Sequence, residues 1–369
     1  MPTRTPNRPT GYAAVVLCAM ALLGPLTHAA RAQPVERIAF GSCFHQGRPA
    51  PIWDAIADSR PDVLLMLGDN VYADTEDMDV MRACYAELAA VEGFQRLRRT
   101  SAVLATWDDH DYGRNDAGAD YPMKAEAQEV FLDFFGEPDD TERRRTPGVY
   151  DAEVFGEPGE RVQIILLDTR TFRGPLDTGP PDRTPGGGVG GRYVPRDDPG
   201  VTMLGEAQWA WLEERLREPA ELRIIASSIQ VVAEDHRYEK WANLPLERAR
   251  LLRLIRETRA GGVLFVSGDR HRAELSVFDP ARAGAGSGRG IDVGYPLHDL
   301  TSSALNQGRG RWTNELNRHR WGNQYFDSNS GSIRIDWSAD DPVVSLELRD
   351  ERGRVVLRKD VALSELRPE

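Results

Sequence analysis

Six short apolar runs recur along the chain, and each is followed by a polar residue able to bind a metal or a phosphate group. The runs are rich in β-branched residues and lie between turn signals, as in strands that are buried on both faces of a sheet. They alternate with helical patterns, which predicts a layered α/β fold. The six runs span residues 37–43, 62–69, 102–108, 162–168, 222–228 and 262–269.

Helical and alternating patterns fill the rest of the chain. Segments with apolar residues at helical spacing lie at 78–97, 122–135, 204–216 and 246–259. Alternating apolar and polar residues at 332–337, 343–349 and 354–359 predict antiparallel strands that extend one sheet rather than form a separate domain. Residues 174–200 are dense in Gly, Pro and Arg without periodicity, which predicts a long loop placed to overhang a site at the preceding strand end.

The first 32 residues have the features of a signal peptide. Two arginines precede a compact apolar stretch at 13–23, and the small-residue sequence ARA ends at Ala32. The apolar stretch is too short to span a bilayer. We therefore expect cleavage near Ala32 and export to the periplasm or the cell exterior. One domain would remain at 33–369, without a stable membrane anchor.

Acidic residues outnumber basic ones, with 58 Asp and Glu against 46 Lys and Arg. Cleavage would change the net charge from −12 to −15, because the leader holds three arginines and no acidic residue. A field of this sign repels a polymer of phosphates, so we do not expect nucleic acid as a dedicated partner. A small anionic substrate remains compatible where metals reverse the local charge. The sequence does not predict the oligomeric state.

Two cysteines, Cys43 and Cys84, remain after cleavage. In an oxidising compartment one interpretation is a disulfide between them. The alternative makes Cys43 a thiolate metal ligand at a strand end and Cys84 a buried residue of a helix. The helical pattern of residues 78–90 favours the second interpretation.

Carboxylates at the predicted strand ends are the main chemical signal. Asp69, Asp108, Asp109 and Asp269 follow three of the apolar runs. The carboxyl ends of strands in open α/β sheets form the crevice where ligands bind. Carboxylates crowded there repel one another and resist burial unless cations compensate them. The sequence therefore predicts a polynuclear metal site, with Asp69 able to bridge two cations.

Neighbouring side chains add further candidates for this site. His110 lies between acids, which favour its imidazolium form and suit a general acid that protonates a leaving alkoxide. Asn115 is a neutral oxygen donor a few residues later. Asp269 and His271 flank one residue and face the same way where the chain is extended. Oxygen and imidazole ligands together suit iron, manganese, zinc or calcium.

Two arginines and one glutamine are candidates for substrate contacts. Arg170 and Arg173 follow the strand that ends at Asp168, and guanidinium groups match phosphate oxygens in a bidentate manner. A salt bridge to one of the many acids is the alternative for each arginine. Gln230 follows the fifth apolar run and is a candidate hydrogen-bond acceptor near the site.

Five motifs occur in order: GSCF at 41–44, GDNVY at 68–72, WDDHDYGRND at 107–116, LGEAQWAWLE at 204–213 and SGDRHRAEL at 267–275. Together they resemble the PhoD-like alkaline phosphatase family of the calcineurin-like metallophosphoesterase superfamily. The resemblance implies a four-layer α/β sandwich of two mixed β-sheets flanked by helices, here with the C-terminal antiparallel strands as an extension. It also implies hydrolysis of phosphoric monoesters or diesters by a metal-bound hydroxide or oxide.

The resemblance further implies two kinds of metal ligand. Matched residue by residue, the ligands of an Fe³⁺ ion are Cys43, Asp69, Tyr72 as a phenolate, and His271. The ligands of Ca²⁺ ions are Asp69, Asp108, Asp109, Asn115 and Asp269, and either Asp108 or Asp109 is the direct ligand. Mn²⁺ or Zn²⁺ are the alternative metals.

Two other functions compete with a phosphatase acting on small phosphate esters. The first is a phospholipase-like phosphodiesterase, which would use the same metal centre with a different pocket. The second is a non-catalytic exported binding protein on a degenerate scaffold, which predicts missing ligands. Every expected ligand type is present in the sequence, which favours an enzyme.

Overall fold

The computed structural model describes residues 32–180, 191–280, 291–308 and 315–368. The expected leader, apart from Ala32, lies outside these residues, and so does the 181–190 part of the predicted loop. Among the described residues, no helix combines the length and the apolar character needed to cross a membrane.

Fifteen strands and seven helices make up the described structure. The strands are β1 (Arg37–Gly41), β2 (Val63–Leu67), β3 (Ala102–Thr106), β4 (Asp151–Phe155), β5 (Val162–Leu166), β6 (Asp177–Thr178), β7 (Tyr193–Val194), β8 (Leu222–Ser227), β9 (Val263–Ser267), β10 (Ala273–Phe278), β11 (Leu297–Ser302), β12 (Arg320–Tyr325), β13 (Asn329–Asp336), β14 (Val343–Asp350) and β15 (Val355–Ala362). The helices are α1 (Ile52–Asp58), α2 (Met78–Ala89), α3 (Glu92–Thr100), α4 (Asp109–Tyr112), α5 (Lys124–Phe135), α6 (Gly205–Arg217) and α7 (Pro245–Glu257).

The first large sheet has the strand order β15-β14-β13-β1-β2-β3. Its β1, β2 and β3 are parallel, whereas β13, β14 and β15 add to the other side of β1 in antiparallel register. The C-terminal strands therefore extend an existing sheet, as the alternating pattern predicted.

The second large sheet has the order β12-β10-β11-β9-β8-β5-β4. Strands β5, β8, β9 and β11 are parallel, while β4, β10 and β12 pair in antiparallel fashion. The short β6 and β7 form a separate antiparallel pair within the predicted loop.

Alternate residues of β2 show how the layers pack. Val63, Leu65 and Leu67 belong to a hydrophobic core that also contains the apolar residues of the second sheet and of α6 and α7. Leu64 and Met66 point the other way, into a second core with α1, α2, α3 and α5. A sheet covered on both faces explains the continuous apolar runs. The result is the expected four-layer α/β sandwich.

Candidate metal centre

The parallel strands of both sheets deliver their following residues to one edge of the sandwich. Four of these residues adopt left-handed backbone conformations: Cys43 at φ 59°, Asp69 at 49°, Asp269 at 68° and His271 at 51°. Such conformations cost non-glycine residues on the order of 1 kcal/mol each and cluster at functional sites. They end each strand abruptly and aim the polar side chains at one another.

Gly68 allows two of these loops to approach closely. Its φ is 92°, and a Cβ at this position would lie 2.5 Å from the backbone nitrogen of Asp108. Only glycine fits this combination of conformation and close contact without strain. The GD pair of the GDNVY motif therefore places Asp69 directly beside the Asp108 loop.

A first ligand cluster contains a thiol, a carboxylate and an imidazole. The ligand atoms of Cys43, Asp69 and His271 all lie within 4.8 Å of one another. The Tyr72 hydroxyl is 2.9 Å from Asp69 Oδ2 and 2.9 Å from His271 Nε2. All four residues expected to bind iron therefore converge.

The two cysteines are both free and buried, so they are not joined as a disulfide. The Cys43 thiol is 3.3 Å from Asp69 Oδ2 and 3.1 Å from the Ser303 hydroxyl. Cys84 lies on α2, with its sulfur 3.8 Å from the carbonyl oxygen of Tyr72. These positions agree with the interpretation in which Cys43 belongs to the site and Cys84 to a helix.

Further clusters of carboxylates adjoin the first one. Ligand atoms within 4.8 Å of one another are found in three more sets: Asp69, Asp109 and His110; Asp108, Asp109 and Asp269; Asp109, Asp116 and Glu239. Asp69 belongs to two of the four clusters, and Asp109 belongs to three of them. This sharing is the arrangement needed for adjacent cations with bridging carboxylates.

The carboxylates are costly to keep ionised in the absence of cations. Burial raises the pKa of Asp69 well above its usual range, and Asp109 raises it further. Burial and Asp108 do the same to the pKa of Asp269. Asp108 Oδ2 is buried without a hydrogen-bond partner among the described residues. Metal ions would supply both the missing positive charge and a partner for this oxygen, so the donor set fits a metal centre.

His110 is held by a carboxylate that we did not predict from the sequence. Its Nδ1 lies 2.7 Å from Asp74 Oδ1, and its ring is 4.3 Å from that of Tyr72. Burial opposes a charge on the imidazole, but the Asp74 hydrogen bond and the Asp109 carboxylate raise the pKa of His110 to about 11. The protonated form that a general acid requires is therefore strongly favoured in the metal-free site.

The structure places Arg170 and Arg173 beneath the site rather than on its open surface. Arg170 is fully buried and contacts Asp108 Oδ1 at 2.5 Å and Glu239 Oε2 at 2.7 Å. Arg173 Nε lies 3.0 Å from Glu239 Oε1. Both side chains thus form the salt bridges given as the alternative to phosphate contacts.

Gln230 is also engaged with other protein groups. It is fully buried, and its amide nitrogen donates to Glu274 Oε1 at 2.9 Å and to the Thr301 hydroxyl at 2.8 Å. Its amide oxygen lies 2.8 Å from His236 Nε2. Gln230, Arg170 and Arg173 are not among the described residues that line the cavity above the carboxylates.

Asp111 organises the ligand loops, although we did not single it out from the sequence. Its buried carboxylate accepts hydrogen bonds from the backbone amides of Asp69, Asn70 and Asp108, at 3.0, 3.1 and 2.7 Å. It also accepts one from the Asn70 side chain at 2.6 Å. The signal was its position in the acidic DDHD sequence.

Asn115 lies exposed at the edge of the cavity, whereas its neighbour Asp116 is more closely tied to the site. The Asp116 amide donates to Asp109 Oδ2 at 2.6 Å. Glu239, the third member of the Asp109 and Asp116 cluster, follows β8 in an irregular segment without any recognisable motif. No pattern in the sequence could have found it.

A cavity of about 210 Å³ opens above the clusters. Asp69, Asp109 and Asp269 lie on one part of its surface, and Arg192 and Tyr193 from the predicted loop lie on another. A larger cavity of about 580 Å³ lies between α5 and residues 144–147. Its described lining includes none of the carboxylate clusters, so the smaller cavity is the candidate active site.

Comparisons with known proteins agree with this geometry. The profile of a family described as PhoD-like phosphatase matches residues 38–339. No protein in a curated collection matches the chain. A solved structure of PhoD is similar, with a TM-score of 0.64, 16% identity, and coverage of 89% of this chain and 72% of that chain.

Two further solved structures share the fold. GAP50, the anchor in the inner membrane complex of Plasmodium, has a TM-score of 0.54, 12% identity, and coverage of 91% of this chain and 90% of its own. The purple acid phosphatase PPD1 from yellow lupin seeds has a TM-score of 0.57, 11% identity, and coverage of 90% and 54%. At such low identities, these similarities concern the fold alone.

Proposed function

Because the chain belongs to the PhoD-like phosphatase family, we propose that its metal centre hydrolyses small phosphoric monoesters and diesters outside the cytoplasm. The family makes the protein a metal-dependent phosphoric ester hydrolase. Its export is part of the proposal and is supported by the leader pattern of residues 1–32.

The observation that carries the proposal is the sharing of ligands between adjacent clusters at one sandwich edge. One cluster provides four groups that suit Fe³⁺: the Cys43 thiolate, the Tyr72 phenolate, the His271 imidazole and the Asp69 carboxylate. The surrounding carboxylates and Asn115 provide the oxygen ligands that Ca²⁺ prefers. Mn²⁺ or Zn²⁺ are the alternatives. When bound, the metals supply Lewis acidity at the phosphoryl oxygens and lower the pKa of a bound water.

The protein's own groups perform the remaining tasks. His110 carries a proton on Nε2, because Asp74 occupies Nδ1, and it delivers this proton to the departing oxygen. Arg170 holds the Asp108 carboxylate in place, and Arg173 acts one step further away through Glu239. We therefore assign positioning roles to both arginines. A non-catalytic binding protein is disfavoured, since no expected ligand type is missing.

An assay with reversible metal removal tests the proposal. The purified protein should hydrolyse 4-nitrophenyl phosphate and bis(4-nitrophenyl) phosphate, lose this activity on chelation, and regain it with metal. Elemental analysis of the same samples identifies the metals. Full activity in the demonstrably metal-free protein would exclude the mechanism, and metal-loaded but inactive protein would favour the binding-protein interpretation.

A variant tests the role of His110 separately. His110→Ala should lose about 10²–10⁴-fold in activity on ethyl phosphate, whose leaving alkoxide needs a proton. The loss on 4-nitrophenyl phosphate should be much smaller. Equal losses on the two substrates would reject the general-acid role.

A further inference from the structure

The cavity of the candidate active site is lined by arginines as well as by carboxylates. Four arginines line the same 210 Å³ cavity: Arg192, Arg237, Arg270 and Arg272. We call these four residues the arginine wall. Arg192 is exposed and Arg237 is partly exposed, whereas Asp69 and Asp109 are buried. The exposed arginines therefore lie towards the solvent, and the metal-binding carboxylates lie deeper.

The members of the arginine wall differ in the ion pairs that they form within the described ranges. Arg270 and Arg272 share one carboxylate, Glu315, with nitrogen–oxygen distances of 2.7 and 3.3 Å. Within the described ranges, neither Arg192 nor Arg237 forms an ion pair. A second anion in the cavity would therefore meet positive charge that the protein leaves available.

Contacts with neighbouring backbone fix the position of Arg237. Its carbonyl oxygen accepts a hydrogen bond from the Tyr193 amide at 2.9 Å, and its Nη2 donates to the Arg192 carbonyl at 3.3 Å. A Cβ on Gly179 would lie 2.5 Å from this Nη2, and one on Gly191 would lie 2.6 Å from the Arg237 carbonyl carbon. Two glycines thus leave room for the arginine.

Two buried nitrogens of the arginine wall lack acceptors. The Nε atoms of Arg237 and Arg270 have no hydrogen-bond partner among the described residues. The Arg270 guanidinium is also stacked over the Tyr238 ring at 4.0 Å, which holds its plane. Buried donors of this kind are costly when unsatisfied, and an anionic ligand would satisfy them.

We propose that the arginine wall binds a second anionic group of the substrate, carried on the leaving group of the ester. The preferred substrates are then small phosphate esters that bear an additional phosphate or carboxylate. The cavity has a volume of about 210 Å³, which suits a compact ester that bears a second anionic group. This inference rests on the proposed hydrolase function and specifies its substrate class.

Matched substrates provide the test. The metal-loaded enzyme is assayed by phosphate release from 3-hydroxypropyl phosphate, propane-1,3-diyl bisphosphate and 3-(phosphonooxy)propanoate. We expect kcat/KM to be at least about 10-fold higher with a second anion, beyond the factor of two that the two equivalent ends of the bisphosphate contribute. The two substrates with a second anionic group distinguish a phosphate preference from a carboxylate preference.

Two variants locate the effect. Arg237→Gln should remove most of the preference, while Arg253→Gln, which makes the same change on the exposed face of α7, should keep it. Calorimetric titration with propane-1,3-diylbisphosphonate provides a readout that does not depend on turnover. Affinity for this probe should fall about 10-fold or more in Arg237→Gln.

Each outcome supports or overturns the inference. A parent enzyme that hydrolyses all three substrates with no preference beyond the factor of two would overturn it and leave the hydrolase function intact. The inference would also be overturned if both Arg237→Gln and Arg192→Gln kept the parent's preference for a second anion and its affinity for the bisphosphonate. If no ester is hydrolysed, the proposed function fails, and the bisphosphonate titration alone still decides whether the arginine wall binds anions.

Discussion

Asp74 offers a way to change the proton affinity of His110 without touching a candidate metal ligand. The substitution Asp74→Asn removes the negative charge but keeps the size of the side chain. Asp74 has φ 45°, and asparagine is among the residues that best tolerate this left-handed conformation. We therefore expect the local backbone to remain in place while the pKa of the His110 imidazolium falls.

The size of the shift follows from the exposure of the pair. The Nδ1–Oδ1 distance is 2.7 Å, and the side chains are 17% exposed for His110 and 44% exposed for Asp74. Fully exposed pairs contribute up to about 1 kcal/mol, and buried hydrogen bonds to charged groups contribute about 1.5–3 kcal/mol. For a half-exposed pair we take about 1–2 kcal/mol, which corresponds to roughly one pH unit.

The expected sign follows from the role of His110 as an acid. The protonated form is active and is present below the imidazolium pKa, so activity is lost as pH rises through it. Lowering this pKa moves the alkaline decline of ethyl phosphate hydrolysis to lower pH by about one unit. Cations bound near Asp69 and Asp109 lower the pKa in both proteins, so the difference between them is the quantity to measure.

The assay measures kcat/KM as a function of pH for the parent and for Asp74→Asn. Each protein is tested with ethyl phosphate and with 4-nitrophenyl phosphate. The nitrophenyl profile should hardly move, because this leaving group departs without a proton. Asp79→Asn is the matched control, since Asp79 is an exposed carboxylate on α2 that contacts Arg82 rather than His110. An unmoved ethyl phosphate profile, or an equal shift with both substrates, would refute the reasoning. Elemental analysis confirms equal metal content.

Three further substitutions test the architecture of the site. Asp69→Asn should lose bound metal and activity together, so unchanged metal stoichiometry would remove Asp69 from the centre. Asp111→Ala should lower the free energy of unfolding by about 3–5 kcal/mol in a denaturant titration, because buried amides lose a charged acceptor; the exposed Asp120→Ala should change it little. Gly68→Ala places a Cβ on a left-handed residue and brings it within 2.5 Å of the Asp108 loop. Gly159→Ala is the control, because Gly159 is also left-handed but a Cβ there has open space, and its expected cost is about 1–2 kcal/mol. Gly68→Ala should lower the free energy of unfolding by several times that amount. Similar losses at both glycines would contradict the close approach.

The sequence predicts strands correctly where both faces of the strand are buried by apolar residues. β2 is covered by apolar layers on both faces, so its residues read as one uninterrupted apolar run. β10 and β11 lack this signal because they bury polar residues that pair across the sheet. The Ser267 hydroxyl, for example, donates to Asp299 at 2.6 Å, and Gln230 donates to Glu274 at 2.9 Å. Partners that satisfy a buried polar group are distant in sequence and invisible to periodicity.

The same distinction applies to the site. Residues that directly follow apolar strands, such as Cys43 and Asp269, were identifiable because the strand fixes where they emerge. Asp74 and Glu239 come from irregular segments, and only the tertiary structure brings them to His110 and Arg170. The partners of Arg170 could not be chosen in advance, since the chain offers many acids and the sequence does not show which one is buried beside it.

The position of β1 between β2 and β13 has a consequence for how the chain reaches its native state. β1 begins at Arg37, yet one of its two neighbours is formed by residues 329–336. A pairing across almost the entire chain has high contact order, and such pairings form slowly. During synthesis, one edge of β1 therefore stays unpaired until residues 329–336 have left the ribosome. The strand that leads to Cys43 is among the first to be made and among the last to be completed.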